Sequence, residues 1–161
     1  MFLSFPLYAQ HIFLAEDDED DYFLFEYALK ELNIPCTLTR FNNGEALMQA
    51  LRDEGQPVPG VLFLDLNMPR KNGKECLLEI KALKHLELLP VIVLSTSISP
   101  EMVNRLYNEG AKYCIRKPED ASMLREIIYQ SLTRILQQNG SAIPMEEFAL
   151  SPEFYHNEAE Q

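Results

Sequence analysis

Short apolar runs alternate with helical patterns along the whole chain, and two of the runs, Val61-Leu62-Phe63-Leu64 and Val91-Ile92-Val93-Leu94, are apolar at every position. A strand that is apolar on both faces must be covered on both faces. Three further runs read as strands: His11-Ile12-Phe13-Leu14-Ala15, the threonine-rich Cys36 to Phe41, and Tyr113-Cys114-Ile115-Arg116. Between them lie five helical patterns. Tyr22 to Leu32 sets Phe25, Leu29 and Leu32 on one face, and Ala46, Leu47, Ala50 and Leu51 mark a short second helix. A third helix surrounds Cys76, Leu77 and Ile80. In a fourth, Met102, Val103, Leu106 and Tyr107 face the core, with Ser99 as N-cap, Pro100 at the first position and Gly110 as a left-handed cap. The last carries a stripe of Met123, Leu124, Ile127, Ile128, Ser131, Leu132, Ile135 and Leu136. Five strands taking turns with five helices predict an α/β fold, a doubly wound parallel sheet between two helix layers.

In such sheets ligands sit outside the carboxyl ends of the strands, where the strand order reverses. The residues at those ends are Glu16 and Asp17, then Asp65 and Asn67, then Ser95 and Thr96, then Lys117 and Pro118. Glu16 opens an unbroken run of six carboxylates ending at Asp21, and so many like charges repel one another unless a cation or solvent compensates them. Carboxylates with a backbone carbonyl and water are the hard oxygen ligands that octahedral Mg2+ accepts. A carboxylate beside that metal can attack phosphorus, provided the incoming phosphoryl oxygens are neutralised. Lys117 supplies a compact positive charge for this and Ser95 a hydroxyl donor. Each residue has a plainer reading as well. Asp18 to Asp21 suit the positive end of a helix as a solvated first turn, Asn67 suits a turn, and Ser97 lies close enough to stand in for Ser95. Asp65 resists such a reading, because an uncompensated carboxylate at the end of a buried strand is costly.

The 161 residues predict one domain, and 14 basic against 25 acidic residues give a net charge of −11. Such a surface repels nucleic acid phosphates and anionic lipid, which argues against DNA or membrane as a partner. Cys36, Cys76 and Cys114 are far apart and form no C-x-x-C pair, so they read as reduced core thiols and point to the cytoplasm. Residues 1–9 form an apolar extension without the basic region of a signal peptide and with Pro6 interrupting it. Residues 10–138 make up the domain. Residues 139–161, with five glutamates and no lysine or arginine, read as a flexible acidic tail whose aromatics could otherwise dock on a partner or on a second copy as a homodimer. No output module is expected after the domain, so the signal must leave by protein contact.

The acidic pair Glu16-Asp17, the segment Leu64-Asp65-Leu66-Asn67-Met68-Pro69 with Gly73 beyond it, Ser95, and Lys117-Pro118 together resemble the response-regulator receiver domains of bacterial phosphorelays. The likeness covers about residues 10 to 138, and it implies a flavodoxin-like, CheY-like fold with strand order 2-1-3-4-5. It implies that Asp65 accepts a phosphoryl group from a phosphohistidine on a sensor histidine kinase or phosphotransfer protein. Mg2+ is then bound by Asp17, by Glu16 directly or through water, by Asp65, and by the main-chain carbonyl of Asn67. Lys117 holds phosphoryl oxygens, the Lys117-Pro118 bond is cis, and Ser95 carries the signal into the next loop and helix. Such a protein catalyses only its own phosphorylation and dephosphorylation.

Three positions depart from the family pattern. Cys114 stands where an aromatic switch residue is usual, with Tyr113 beside it and Tyr107 as another substitute. Thr96 replaces a very small residue, and Glu119 replaces an aromatic. Two other readings are weighed against the receiver. One is a degenerate receiver that binds without phosphorylation. The other is an aspartate-nucleophile phosphatase of the haloacid dehalogenase type, which would need an aspartate where Asn67 stands.

Overall fold

The computed structural model describes residues 11–138 and 142–150, so the N-terminal extension and the last eleven residues of the tail lie outside the described residues. In chain order the elements are β1 (His11–Ala15), α1 (Glu19–Glu31), β2 (Thr37–Phe41), α2 (Gly44–Arg52), β3 (Val61–Asp65), α3 (Gly73–Ala82), a short 3-10 turn (Lys84–Leu86), β4 (Val91–Ser95), α4 (Pro100–Asn108), β5 (Tyr113–Arg116), α5 (Ala121–Gln138), α6 (Met145–Phe148) and β6 (Ala149–Leu150). The strands lie in the order β2-β1-β3-β4-β5-β6, and all neighbouring pairs are parallel. The order reverses between β1 and β3. The five expected strands are therefore present in the order the resemblance implies, with a sixth added at the β5 edge.

Alternate residues of each central strand feed two separate cores. Ile12, Leu14, Val61, Phe63, Ile92, Leu94, Tyr113 and Ile115 pack beneath α1 and α5. Leu62, Leu64, Val91, Val93 and Cys114 pack beneath α2, α3 and α4. This two-sided demand is why β3 and β4 have no polar position before their last residue.

Helix starts follow the chemistry of the backbone donors left free there. Asp18, Asn43, Asn72 and Ser99 each accept a hydrogen bond from the N–H three residues on, at 2.8–3.2 Å. α1 begins at Glu19, three residues earlier than its apolar pattern suggests, because the cap and the acidic first turn carry no periodic signal. At the end of α4, Gly110 has φ +94°, the left-handed conformation expected of it, and Ala111 N–H bonds back to the Leu106 carbonyl. Met123, expected on the buried stripe of α5, is instead exposed, and the stripe starts at Leu124.

The tail departs most from the sequence reading. Over residues 142–150 it folds against the domain instead of hanging free. Ile143, Phe148 and Leu150 are buried, and β6 pairs with β5 through Ala149 opposite Cys114 and Leu150 opposite Ile115. The rings of Tyr107 on α4 and Phe148 meet nearly at right angles, with centroids 5.3 Å apart, and the Tyr107 hydroxyl donates to the Ile143 carbonyl at 2.6 Å. Among the described residues, no helix is long and apolar enough to cross a membrane.

Candidate phosphoryl-acceptor site

The fold divides the run of six carboxylates among three tasks. Glu16 follows β1 directly and is buried, Asp17 stands exposed at the rim, and Asp18 to Asp21 cap and open α1. Arg40, at the end of neighbouring β2, donates from Nε to the Glu16 carbonyl at 3.0 Å and from Nη2 to the Asp17 carbonyl at 3.2 Å, which fixes the backbone of the pair. The Arg40 guanidinium also lies 4.6 Å from the centre of the Tyr22 ring on α1.

Asp65 ends β3, buried, at the point where the strand order turns. Its Oδ1 accepts from the Asn67 N–H at 3.1 Å, and the loop beyond is closed by Gly73 N–H donating to the Leu66 carbonyl at 3.0 Å. Gly73 cannot be larger, since a β-carbon there would meet the Asp65 carbonyl oxygen at 2.3 Å. α3 thus starts in contact with the strand end that carries the Asp65 carboxylate.

Lys117, just after β5, brings the positive charge. Its Nζ lies 2.6 Å from Glu16 Oε1, 3.0 Å from Asp21 Oδ2 and 3.3 Å from Asp65 Oδ2. Burial alone would lower the lysine pKa, but the hydrogen bond that the ammonium donates to Glu16 and the nearby charge of Asp65 outweigh it and raise the value, so the ammonium is firmly protonated. Glu16 moves the other way from an ordinary ion-paired carboxylate. Burial first, and then its closeness to Asp65, push it up to about 9 despite Lys117.

A divalent cation suits this donor set. One carboxylate oxygen each from Glu16, Asp17 and Asp65 lie within 4.8 Å of one another. Glu16 Oε2 is buried with no hydrogen-bond partner among the described residues, a costly state that a metal ligand bond would relieve. Hard oxygen donors of this kind match Mg2+ or Mn2+. A protein-family model described as the response regulator receiver domain matches residues 12–129.

The chain belongs to that family. Receiver domains are signalling modules that pair with histidine kinases or phosphotransfer proteins and take Mg2+ or Mn2+ in an acidic pocket. Response regulator Rcp1 of Synechocystis sp. is 38% identical over 100 residues, covering 60% of this chain and 68% of Rcp1. The solved structure of the phosphorylated cyanobacterial phytochrome response regulator RcpA is similar with a TM-score of 0.71 at 34% identity, covering 79% of this chain and 94% of RcpA. The Mn2+-bound form of Rcp1 gives a TM-score of 0.70 at 29% identity, covering 84% and 99%.

Within this receiver, Ser95 ends β4, buried, and its Oγ donates to the Ser97 carbonyl at 2.7 Å. Thr96 beside it is exposed. Tyr113 and Cys114 sit on opposite faces of β5, both fully buried. Tyr113 is tied by its hydroxyl to Gln138 at 3.1 Å under α5, so it does not replace the aromatic missing at Cys114. Phe148 lies on the Cys114 face instead, and burial pushes the Cys114 thiol up to about 12, which keeps it protonated and unreactive. The Lys117–Pro118 bond is trans, against the expected cis form. Trans is the intrinsically preferred isomer, and with it Lys117 N–H pairs with the Ser95 carbonyl at 2.8 Å while its ammonium reaches all three carboxylates. Sequence reasoning missed Asp21 and Arg40. Neither sits at a strand end in the pattern used to find the site, except that Arg40 immediately precedes the end of β2.

Proposed function

We propose that this chain is the phosphoryl-accepting regulator of a two-component relay, with Asp65 as acceptor and Mg2+ as cofactor. The observation that carries the reading is the meeting of Lys117 Nζ, Asp65 Oδ2 and the unpartnered Oε2 of Glu16 at one rim. Glu16, Asp17 and Asp65, with the main-chain carbonyl of Asn67, would hold Mg2+, which supplies positive charge for the phosphoryl oxygens. An oxygen of Asp65 attacks phosphorus, the P–N bond of a phosphohistidine breaks, and its electron pair returns to the imidazole. Lys117 binds a phosphoryl oxygen and offsets the charge brought to a buried carboxylate. Ser95 then leaves the Ser97 carbonyl for the phosphoryl group, which shifts the loop leading into α4.

The likeness to RcpA, a cyanobacterial phytochrome response regulator, supports a phosphodonor kinase associated with a phytochrome. The three free cysteines, with burial raising each thiol pKa, suit work in the reducing cytoplasm. The output leaves through the surface built from β4, β5 and their helices, to a protein partner. The test is incubation with acetyl phosphate with and without Mg2+, followed by intact-mass measurement. The wild-type chain gains one base-labile phosphoryl group only with Mg2+, and Asp65→Asn gains none. Equal labelling of Asp65→Asn would overturn the assignment, and release of phosphate from an added ester with multiple turnovers would favour a phosphatase.

A further inference from the structure

We propose that Asp21 is a positioning residue for phosphoryl transfer, holding the Lys117 ammonium in the resting site and giving it up to the incoming phosphoryl group. The inference rests on Asp65 being the acceptor. An ammonium has three N–H donors, and those of Lys117 face Glu16, Asp21 and Asp65 at 2.6, 3.0 and 3.3 Å. A phosphoryl oxygen on Asp65 gains the lysine only when one of these bonds is released. The side chains of Glu16 and Asp65 are 2% and 6% exposed, whereas that of Asp21 is 44% exposed. Water can therefore take over the Asp21 carboxylate, while a released Glu16 would be left buried and unpaired. Asp21 is the partner that yields.

Its geometry suits the task. The Asp21 N–H is bound to the Asp18 cap at 2.9 Å, so the carboxylate projects from a fixed helical turn. Beside the ammonium lies a cavity of about 30 Å³ that Glu16 and Asp21 line together with Leu14, Leu24, Phe25, Leu94, Pro118 and Leu124, so that every lining side chain besides the two carboxylates and the lysine is apolar. These apolar side chains offer the lysine no other acceptor. Without Asp21 the ammonium would lean on Glu16 and Asp65, the two carboxylates that also serve the metal, and would be free of one competitor when the phosphoryl group arrives.

The test compares wild type, Asp21→Asn, Asp21→Glu, Lys117→Gln and the Asp21→Asn/Lys117→Gln double variant. Two quantities are measured: the rate of phosphorylation by acetyl phosphate at saturating Mg2+, and the Mg2+ affinity of the unphosphorylated protein. Losing an exposed ion pair predicts that Asp21→Asn speeds phosphorylation about two- to fivefold. Its Mg2+ affinity falls by a similar factor, and Asp21→Glu restores both. In the Lys117→Gln background both effects vanish, as a contribution made through the lysine requires. Effects of the same size in that background would show a through-space charge effect and overturn the inference, as would an unchanged Asp21→Asn in a protein that otherwise accepts phosphoryl normally. A wild-type chain that takes no phosphoryl group on Asp65 overturns the functional reading itself, and this inference with it.

Discussion

Glu16 holds its proton in the folded, metal-free chain at pH values where an exposed glutamate has lost it, because burial and Asp65 raise its pKa from 4.5 to about 9. The folded state thus binds the extra proton between those two values, and the stability that Glu16 contributes falls as pH rises through that window. The contribution is complete below about 4.5 and gone above about 9. Denaturant midpoints of metal-free protein should therefore decline from pH 5 to 9, and Glu16→Gln should remove most of the slope. A midpoint that rises over this range would contradict the description of Glu16. Saturating Mg2+ should flatten the same profile, since the metal takes the place of the proton. Thr96 makes a second prediction at this scale. It is exposed beside Ser95 at the mouth of the site, so Thr96→Ala should exchange phosphoryl groups faster than wild type, as followed by rates of gain and loss; equal or slower rates would rule out a gating role. Glu16, Asp65, Ser95 and Lys117 were legible in the sequence because each closes or directly follows an apolar run. Asp21 was not, because its partner lies 96 residues away and its neighbours suffice to explain it as a helix start.

At the scale of elements, the segment 142–150 carries the largest correction to the sequence reading. Its glutamates and its two-residue strand give no periodic signal, yet Phe148 is wholly buried between α4 and the Cys114 face of β5. The small Cys114 side chain in the strand leaves the large ring to come from the tail, a complementarity that only the folded sheet reveals. Phe148→Ala should cost about 3–5 kcal/mol in urea unfolding, the usual range for losing a buried phenylalanine. Tyr107→Phe, which removes the hydroxyl bonded to the Ile143 carbonyl, should cost about 0.5–1.5 kcal/mol. If both variants unfold at the wild-type midpoint, the segment does not pack there in solution. The central strands, by contrast, were readable almost to the residue, because two-sided burial leaves them no polar position to blur their limits.

For the whole molecule, the parallel order of the strands turns separate chain positions into one site. β1, β3, β4 and β5 all end at the same rim, so Glu16, Asp65, Ser95 and Lys117 converge although they span about a hundred residues of sequence. The alternation of elements in the sequence already specifies this arrangement; what it leaves open is how the lysine divides itself among three carboxylates. That division follows from side-chain length and burial in the finished fold, where the acidic pair and Asp65 are drawn together more closely than their charges favour alone. The proposed binding of Mg2+ and acceptance of a phosphoryl group would give that crowding a chemical purpose. The most direct measurement is to locate the modified residue, by phosphorylating the chain with a small phosphodonor in Mg2+, reducing the acyl phosphate with borohydride, and mapping the resulting peptide by mass spectrometry. Reduction confined to Asp65 is the predicted result, and modification of another residue, or of none, would contradict it.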